Sequence, residues 1–266
     1  MEGNAPKIFR VKDPDPIPSK HPPVHPNLPQ VEGFGGGALV LMISPIATGK
    51  STIVSNLLLG DYESGFYNAQ ERFDDTIIIS NTIANDITSR YLRQAFTTFD
   101  EYDDSIVDGI VRKQKSYESK EDMPDIAVIL DDCLGSIKRE ASVNHLASRF
   151  RHYNIRLLLF SSQKFTGAVS PVIRANATNV IIGSPFPNQK ELIRIAAEYG
   201  DLFGGEKRFL EIYKKATPNR YDFLHLSLKS SPPQAFRNFE TLIAEGENIK
   251  ESGGANFIYS SDEEAE

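Results

Sequence analysis

The segment Ser44-Pro45-Ile46-Ala47-Thr48-Gly49-Lys50-Ser51-Thr52 constrains this chain more than any other part of it. Before it runs Ala38–Ile43, six apolar residues without alternation, which reads as a strand buried on both faces. After it, Lys50–Leu59 carries the spacing of an amphipathic helix. Gly49 permits the tight turn between the two, because it has no Cβ to clash. A doubly buried strand that leads straight into a helix belongs to a parallel sheet, since parallel neighbours need a crossover. The rest of the chain repeats the pattern. Apolar strands are expected at residues 76–80, 126–130, 156–161 and 179–182, with helices near 86–96, 103–115, 139–153, 189–203 and 207–215. Residues 221–228 (YDFLHLSL) alternate as a half-buried antiparallel strand does, and a last helix is expected over 233–244. The fold class that follows is α/β with a mostly parallel sheet.

Composition bounds the rest. The chain has 266 residues, 40% hydrophobic and 24% charged, enough for one large domain or two small ones and unlike fibrous or wholly disordered proteins. No apolar run is long enough to cross a bilayer, and the N-terminus lacks the charged-then-apolar order of a secretory signal. Cys133 is the one cysteine, which excludes an intrachain disulfide and a cysteine zinc cluster and points to a reducing interior. The formal net charge of −7 gives no global basic field for nucleic acid, although a local patch repeated around an oligomer can suffice. Eight of the sixteen prolines lie between Pro6 and Pro29, so residues 1–36 are expected as an extended arm ahead of a domain at 37–246. The last residues, 247–266, carry four acids after Ser252 with no base, and read as a flexible acidic tail.

The loop at 44–52 has the Walker A layout, G-x-x-x-x-G-K-[ST], with Ser44 in place of the first glycine. Its amides and the helix N-terminus suit a phosphate chain. Lys50 then reaches the β and γ oxygens, and the Ser51 hydroxyl completes a Mg²⁺ shell. Residues 125–132 (DIAVILDD) form an apolar strand that ends in two carboxylates, as a Walker B strand does. Asp131 is assigned to Mg²⁺, and Asp132 to the water that attacks the γ-phosphate. Gln163, at the end of the next strand, can donate and accept at once and is assigned as the γ-phosphate sensor. Either feature alone is common; their order along the chain is what makes them a site. Arg149, Arg151 and Arg174 are candidate fingers for a neighbouring subunit, with surface salt bridges the equally ready alternative. The five histidines show no metal spacing, and Cys133 is expected as a packing residue.

SPIATGKST, AVILDD, RFRHYNIRLLLFSSQ and IRANATNVII, in this order, resemble the poxvirus-type DNA-packaging ATPases of large DNA viruses and virophages, within the FtsK–HerA superfamily. The resemblance covers roughly residues 38–228. It implies a three-layer RecA-like ASCE P-loop NTPase, helices on both faces of the sheet, with ATP and Mg²⁺ as ligands. It further implies a ring-shaped homo-oligomer, pentamer or hexamer, that drives double-stranded DNA into a preformed capsid. The host cytoplasm, a viral assembly site or the virion would be its place, with no secretion. Position by position, Lys50, Asp132 and Gln163 become catalytic, residues 44–52 nucleotide-binding, and Ser51 and Asp131 metal-binding. Ser44 and Ala47 depart from the glycine-rich family loop, which bears on loop geometry and turnover. Three other readings stay open: a nucleotide-binding module without turnover, a helicase-type DNA motor, and a P-loop nucleotide kinase. The stretch after Gln163 (KFTGAVS) lacks the arginines of a kinase lid.

Overall fold

A computed structural model describes residues 20–32, 36–84, 86–87, 89–137 and 142–246. In chain order the elements are β1 (Ala38–Ile43), α1 (Lys50–Leu59), α2 (Ala69–Arg72), β2 (Asp75–Ser80), α3 (Arg90–Ala95), β3 (Thr97–Phe99), α4 (Asp104–Lys115) and β4 (Ile126–Asp131). There follow α5 (Ser142–Arg149), β5 (Ile155–Ser162), α6 (Pro171–Asn176), β6 (Asn179–Gly183), α7 (Gln189–Tyr199), α8 (Glu206–Ala216), β7 (Phe223–Ser227), β8 (Gln234–Arg237) and β9 (Thr241–Glu245). One sheet joins the strands in the order β3-β2-β4-β5-β1-β6-β7-β8-β9. The first six are parallel and the last three antiparallel.

Alternation along each strand divides the core. Leu39, Leu41 and Ile43 face a layer built from α4 to α8, while Val40 and Met42 face α1, α2 and α3. Both faces are covered, so β1, β4, β5 and β6 are built around continuous apolar runs rather than alternating ones. This is the three-layer α/β architecture with a mostly parallel sheet that the sequence pattern implies. β5 lies between β1 and β4, which places the ends of the two motif strands on either side of Gln163.

Three expectations are corrected. Residues 233–244 form a hairpin, β8 and β9, instead of a helix. The free edge of β7 takes Ala235 and Phe236 into the core, Phe236 stacks on His225 with centroids 5.7 Å apart, and Asn238 turns the chain at φ 54°. Sheet pairing outweighs a local helical pattern here. The helix expected near 86–96 shortens to α3, because β3 starts at Thr97 and pairs with β2. The helix expected over 139–153 ends at Arg149 and passes into a 3₁₀ turn, its first residues lying outside the described ones.

The described part of the proline-rich arm lies on its own domain. Val24, Leu28 and Val31 join the α1 core. Buried Arg72 holds them in place, donating to the Tyr67 and Pro22 carbonyls and pairing with Glu32. The first part of the arm and the acidic tail at 247–266 lie outside the described residues.

Candidate nucleotide site

Parallel strands point the same way, so the ends of β1, β4, β5 and β6 open on one edge of the sheet, where ligands of open α/β folds bind. Ser44 leaves β1 there, held by its amide to the Ser162 carbonyl at 2.9 Å. The loop closes on itself. Thr48 Oγ1 donates to the Pro45 carbonyl at 2.6 Å and contacts Ser44 Oγ, and Gly49 enters α1 at φ 91°. Ile53 N–H donates to the Gly49 carbonyl at 2.9 Å, which begins the helix ladder. Glycine-poor sequence leaves two marks. Ala47 sits at φ 58°, a left-handed conformation that costs an L-residue about 1–2 kcal/mol. Ser44 is fully buried, and its hydroxyl occupies space opposite Gly183 on β6.

Three of the sequence-derived residues converge on one oxygen. Asp132 Oδ2 accepts from Lys50 Nζ at 3.1 Å and from Gln163 Nε2 at 3.0 Å. Lys50 also donates to the Ser44 carbonyl at 3.3 Å, so its ammonium stands across the loop mouth. Asp132 adopts φ 52°, and its amide donates to Ser161 O at 3.0 Å. That bend turns its carboxylate from the strand direction toward β5.

Asp131 lies deeper. Its Oδ2 accepts from Ser80 Oγ at 3.1 Å, while Oδ1 is buried without a hydrogen bond. Burial pushes this carboxyl above the usual carboxylate range. The Asp132 charge adds to the rise, against the opposing Ser161 and Ser80 hydroxyls and the Lys50 ammonium. An orphaned carboxylate oxygen beside a lysine and the first turn of α1, which contains Ser51, is the donor chemistry of a hard cation such as Mg²⁺. Among the described residues no group of three or more His, Cys, Asp or Glu side chains could hold a metal unaided. Cys133 next to the pair is fully buried, and burial lifts its thiol to about 12. It packs and does not react.

The candidate arginines stand elsewhere. Arg151 donates twice to the Gly37 carbonyl, both at 3.2 Å, at the start of β1 and hence the opposite edge of the sheet. Arg149 ends α5 on that same side, ahead of β5. Arg174 pairs with Glu198 at 2.8 Å and covers the Phe165 ring. None of the three meets Lys50 or Asp132 within the chain.

Sequence reading missed the supports. Ser80 closes one side of Asp131. Glu191 takes the amides of Phe165 and Thr166 at 3.0 and 2.9 Å, which anchors the loop after Gln163 to α7. Burial alone would raise the Glu191 carboxyl, but these donors together with Arg194 hold it below its ordinary value. Gly183 leaves room for Ser44, and Tyr221, ahead of β7, lies against Gly49. Each partnership joins elements far apart along the chain, and no local spacing announces it.

No protein-family model matches the chain. It is 26% identical over 149 residues to an uncharacterised protein, 088R, of Invertebrate iridescent virus 3, which covers 55% of this chain. The chain spans about half the length of that relative, 53%. Among solved structures it is similar to B204, the DNA-packaging ATPase from Sulfolobus turreted icosahedral virus, with a TM-score of 0.52 at 13% identity over 77% of this chain and 99% of that one. B204 of Sulfolobus turreted icosahedral virus 2 in complex with AMP gives 0.51 at 15% identity, over 76% and 98%. The pCW3 conjugation coupling protein TcpA with ATPγS gives 0.50 at 12% identity, over 86% and 71%. With the β5 insertion between the motif strands and helices on both faces, the chain has the RecA-like P-loop fold of these NTPases.

Proposed function

We propose that this chain hydrolyses ATP and, as a ring of copies, uses the energy to move double-stranded DNA into a viral capsid. The observation that carries the reading is the meeting of Lys50 and Gln163 on one oxygen of Asp132, beside the orphaned oxygen of Asp131. The likeness to a protein described as a DNA-packaging ATPase, and a relative of viral origin, support the choice of cargo.

Residues 44–52 receive the triphosphate, with the amides of the loop and of the first turn of α1 turned toward it. Lys50 exchanges Asp132 for the β and γ oxygens, since the loop mouth that its ammonium spans is where they arrive. Asp132, released, accepts a proton from the attacking water, and Gln163 holds that water and the carboxylate in register. Asp131 and Ser51 would hold Mg²⁺, which supplies positive charge to the phosphate oxygens. An arginine from the neighbouring copy is left to complete the charge balance, from among Arg149, Arg151 and Arg174. When the γ-phosphate leaves, the contacts it made to Gln163 and to the neighbour go with it, and the subunit boundary loosens. DNA is gripped through its phosphates, because a motor that packs a whole genome cannot read bases. No helix of the described residues is long and apolar enough to cross a membrane.

Steady-state ATP hydrolysis by the full chain, with and without long duplex DNA, tests this. Turnover is expected to rise with DNA. It should fall at least about 100-fold in Lys50→Ala and in Asp132→Asn, the scale of losing a charge-stabilising or proton-transfer group. ATP binding without hydrolysis, DNA and capsid shells present, would replace the motor with a nucleotide-binding module.

A further inference from the structure

Tyr221 is built in a way that the turn it occupies does not require. It precedes β7, which begins opposite Gly183 at the edge of the sheet where the phosphate loop lies. Its φ is 73°, in the left-handed region that glycine and asparagine enter cheaply and a bulky aromatic does not. The residue is 54% exposed, so burial of the ring does not repay that strain. Its Cδ1 lies 3.6 Å from where a Cβ on Gly49 would stand, which places the ring beside the loop at 44–52. The Arg220 guanidinium lies 4.9 Å from the ring centre.

The strained backbone is fixed from below. Asp222, 8% exposed, accepts from the Asn219 amide at 2.9 Å, from Arg237 at 3.1 Å and from Asn238 Nδ2 at 3.3 Å. Asn238 Oδ1 in turn accepts from the Phe223 amide at 3.1 Å. The hairpin β8–β9 therefore clamps the turn that presents the ring beside Gly49. Strain that neighbours over-determine gathers where a ligand is gripped. An aromatic face with a cation across it is the surface on which nucleic acid bases stack.

We propose that Tyr221, backed by Arg220, is the platform for the purine base of the bound nucleoside triphosphate. The proposal rests on residues 44–52 taking the triphosphate, and adds where the base goes. A ring at Gly49 adjoins the turn that enters α1, so phosphates in the loop and a base on Tyr221 belong to one molecule. Stacking uses the face of a base and not its edges, so ATP and GTP both bind.

Calorimetric titration of the full chain with Mg²⁺, comparing ATP with inorganic tripolyphosphate, separates base from phosphates. Tyr221→Ala is expected to weaken ATP about tenfold, the loss of one base–aromatic stack, and to leave tripolyphosphate binding unchanged. Tyr221→Phe restores ATP binding, and Tyr221→Gly, which relieves the backbone, behaves like the alanine variant. Equal weakening of both ligands would assign the ring to shaping the loop and overturn the platform. So would a wild-type chain that binds tripolyphosphate as tightly as ATP, with Lys50→Ala abolishing both and the phosphate site intact. If the wild-type chain binds neither ligand, the triphosphate reading fails, and the platform with it.

Discussion

Ser44 and Gly183 show how one substitution in a motif is accommodated by a residue about 140 positions away. A Cβ on Gly183 would come within 1.9 Å of Ser44 Oγ, so only glycine fits opposite a serine at the head of the phosphate loop. Gly183→Ala is expected to displace the loop at a cost of about 1–3 kcal/mol, as overpacking does, and to weaken nucleotide binding. Ser44→Gly in the same chain should restore most of both. Thermal unfolding and ATP titration of the two single variants and the double variant would measure that coupling. Independent losses would leave Gly183 as a structural residue only. The same scale explains Asp131 and Asp132. They are adjacent in sequence, yet the φ of 52° at Asp132 sends one carboxylate to Lys50 and Gln163 and leaves the other with Ser80.

At the scale of elements, the site depends on loops that are tied to helices they do not adjoin in sequence. Gln163 is followed by a loop whose Phe165 and Thr166 amides end on Glu191, at the start of α7. Glu191→Ala leaves two backbone donors without their carboxylate, a cost of about 1–3 kcal/mol in stability. It should also lower kcat more than it raises KM, because the loop that aims Gln163 is loosened while the phosphate loop is not. Glu191→Gln, which keeps an acceptor, should recover part of each. The hairpin β8–β9 acts similarly through Asp222 and Asn238 on the turn at Tyr221. That hairpin was also the element least legible in sequence. Residues 233–244 carry a helix-like pattern, and only the open edge of β7 makes strand pairing the better use of Ala235 and Phe236.

Across the whole molecule, the parallel half of the sheet carries the candidate site and the antiparallel half completes the sheet. His225 on β7 lies at their junction, fully buried between Phe236 and Phe239, its Nε2 accepting from Asn179 Nδ2 at 3.1 Å. Its Nδ1 has no partner, and burial pushes the imidazole from 6.5 down to about 3. The folded protein therefore keeps His225 neutral while the unfolded chain protonates it. The stability this contributes is present above pH 6.5 and drains away as pH falls toward 3. About 2 kcal/mol should go between pH 7 and pH 5, at about 1.4 kcal/mol per unit below the unfolded value. Denaturant midpoints at those two pH values, compared between wild type and His225→Gln, check this. The loss on acidification should be smaller in the variant by about 2 kcal/mol, the His225 share, while the contribution of Asp131, which runs the opposite way, is common to both.

What the sequence determined by itself was whatever a short stretch can hold. Unbroken apolar strands, a glycine before a lysine and serine, and a carboxylate pair at a strand end each encode their geometry within a few bonds, so the α/β class, the strand–loop–helix at 38–59 and the candidate residues that meet at the strand ends were legible. Only the tertiary structure decided what faces them: β5 between the motif strands, Gly183 across from Ser44, Glu191 behind the Gln163 loop, and Tyr221 against Gly49. Those partners are chosen by sheet order, and sheet order depends on which apolar faces bury each other best across the whole chain. No local pattern records that choice.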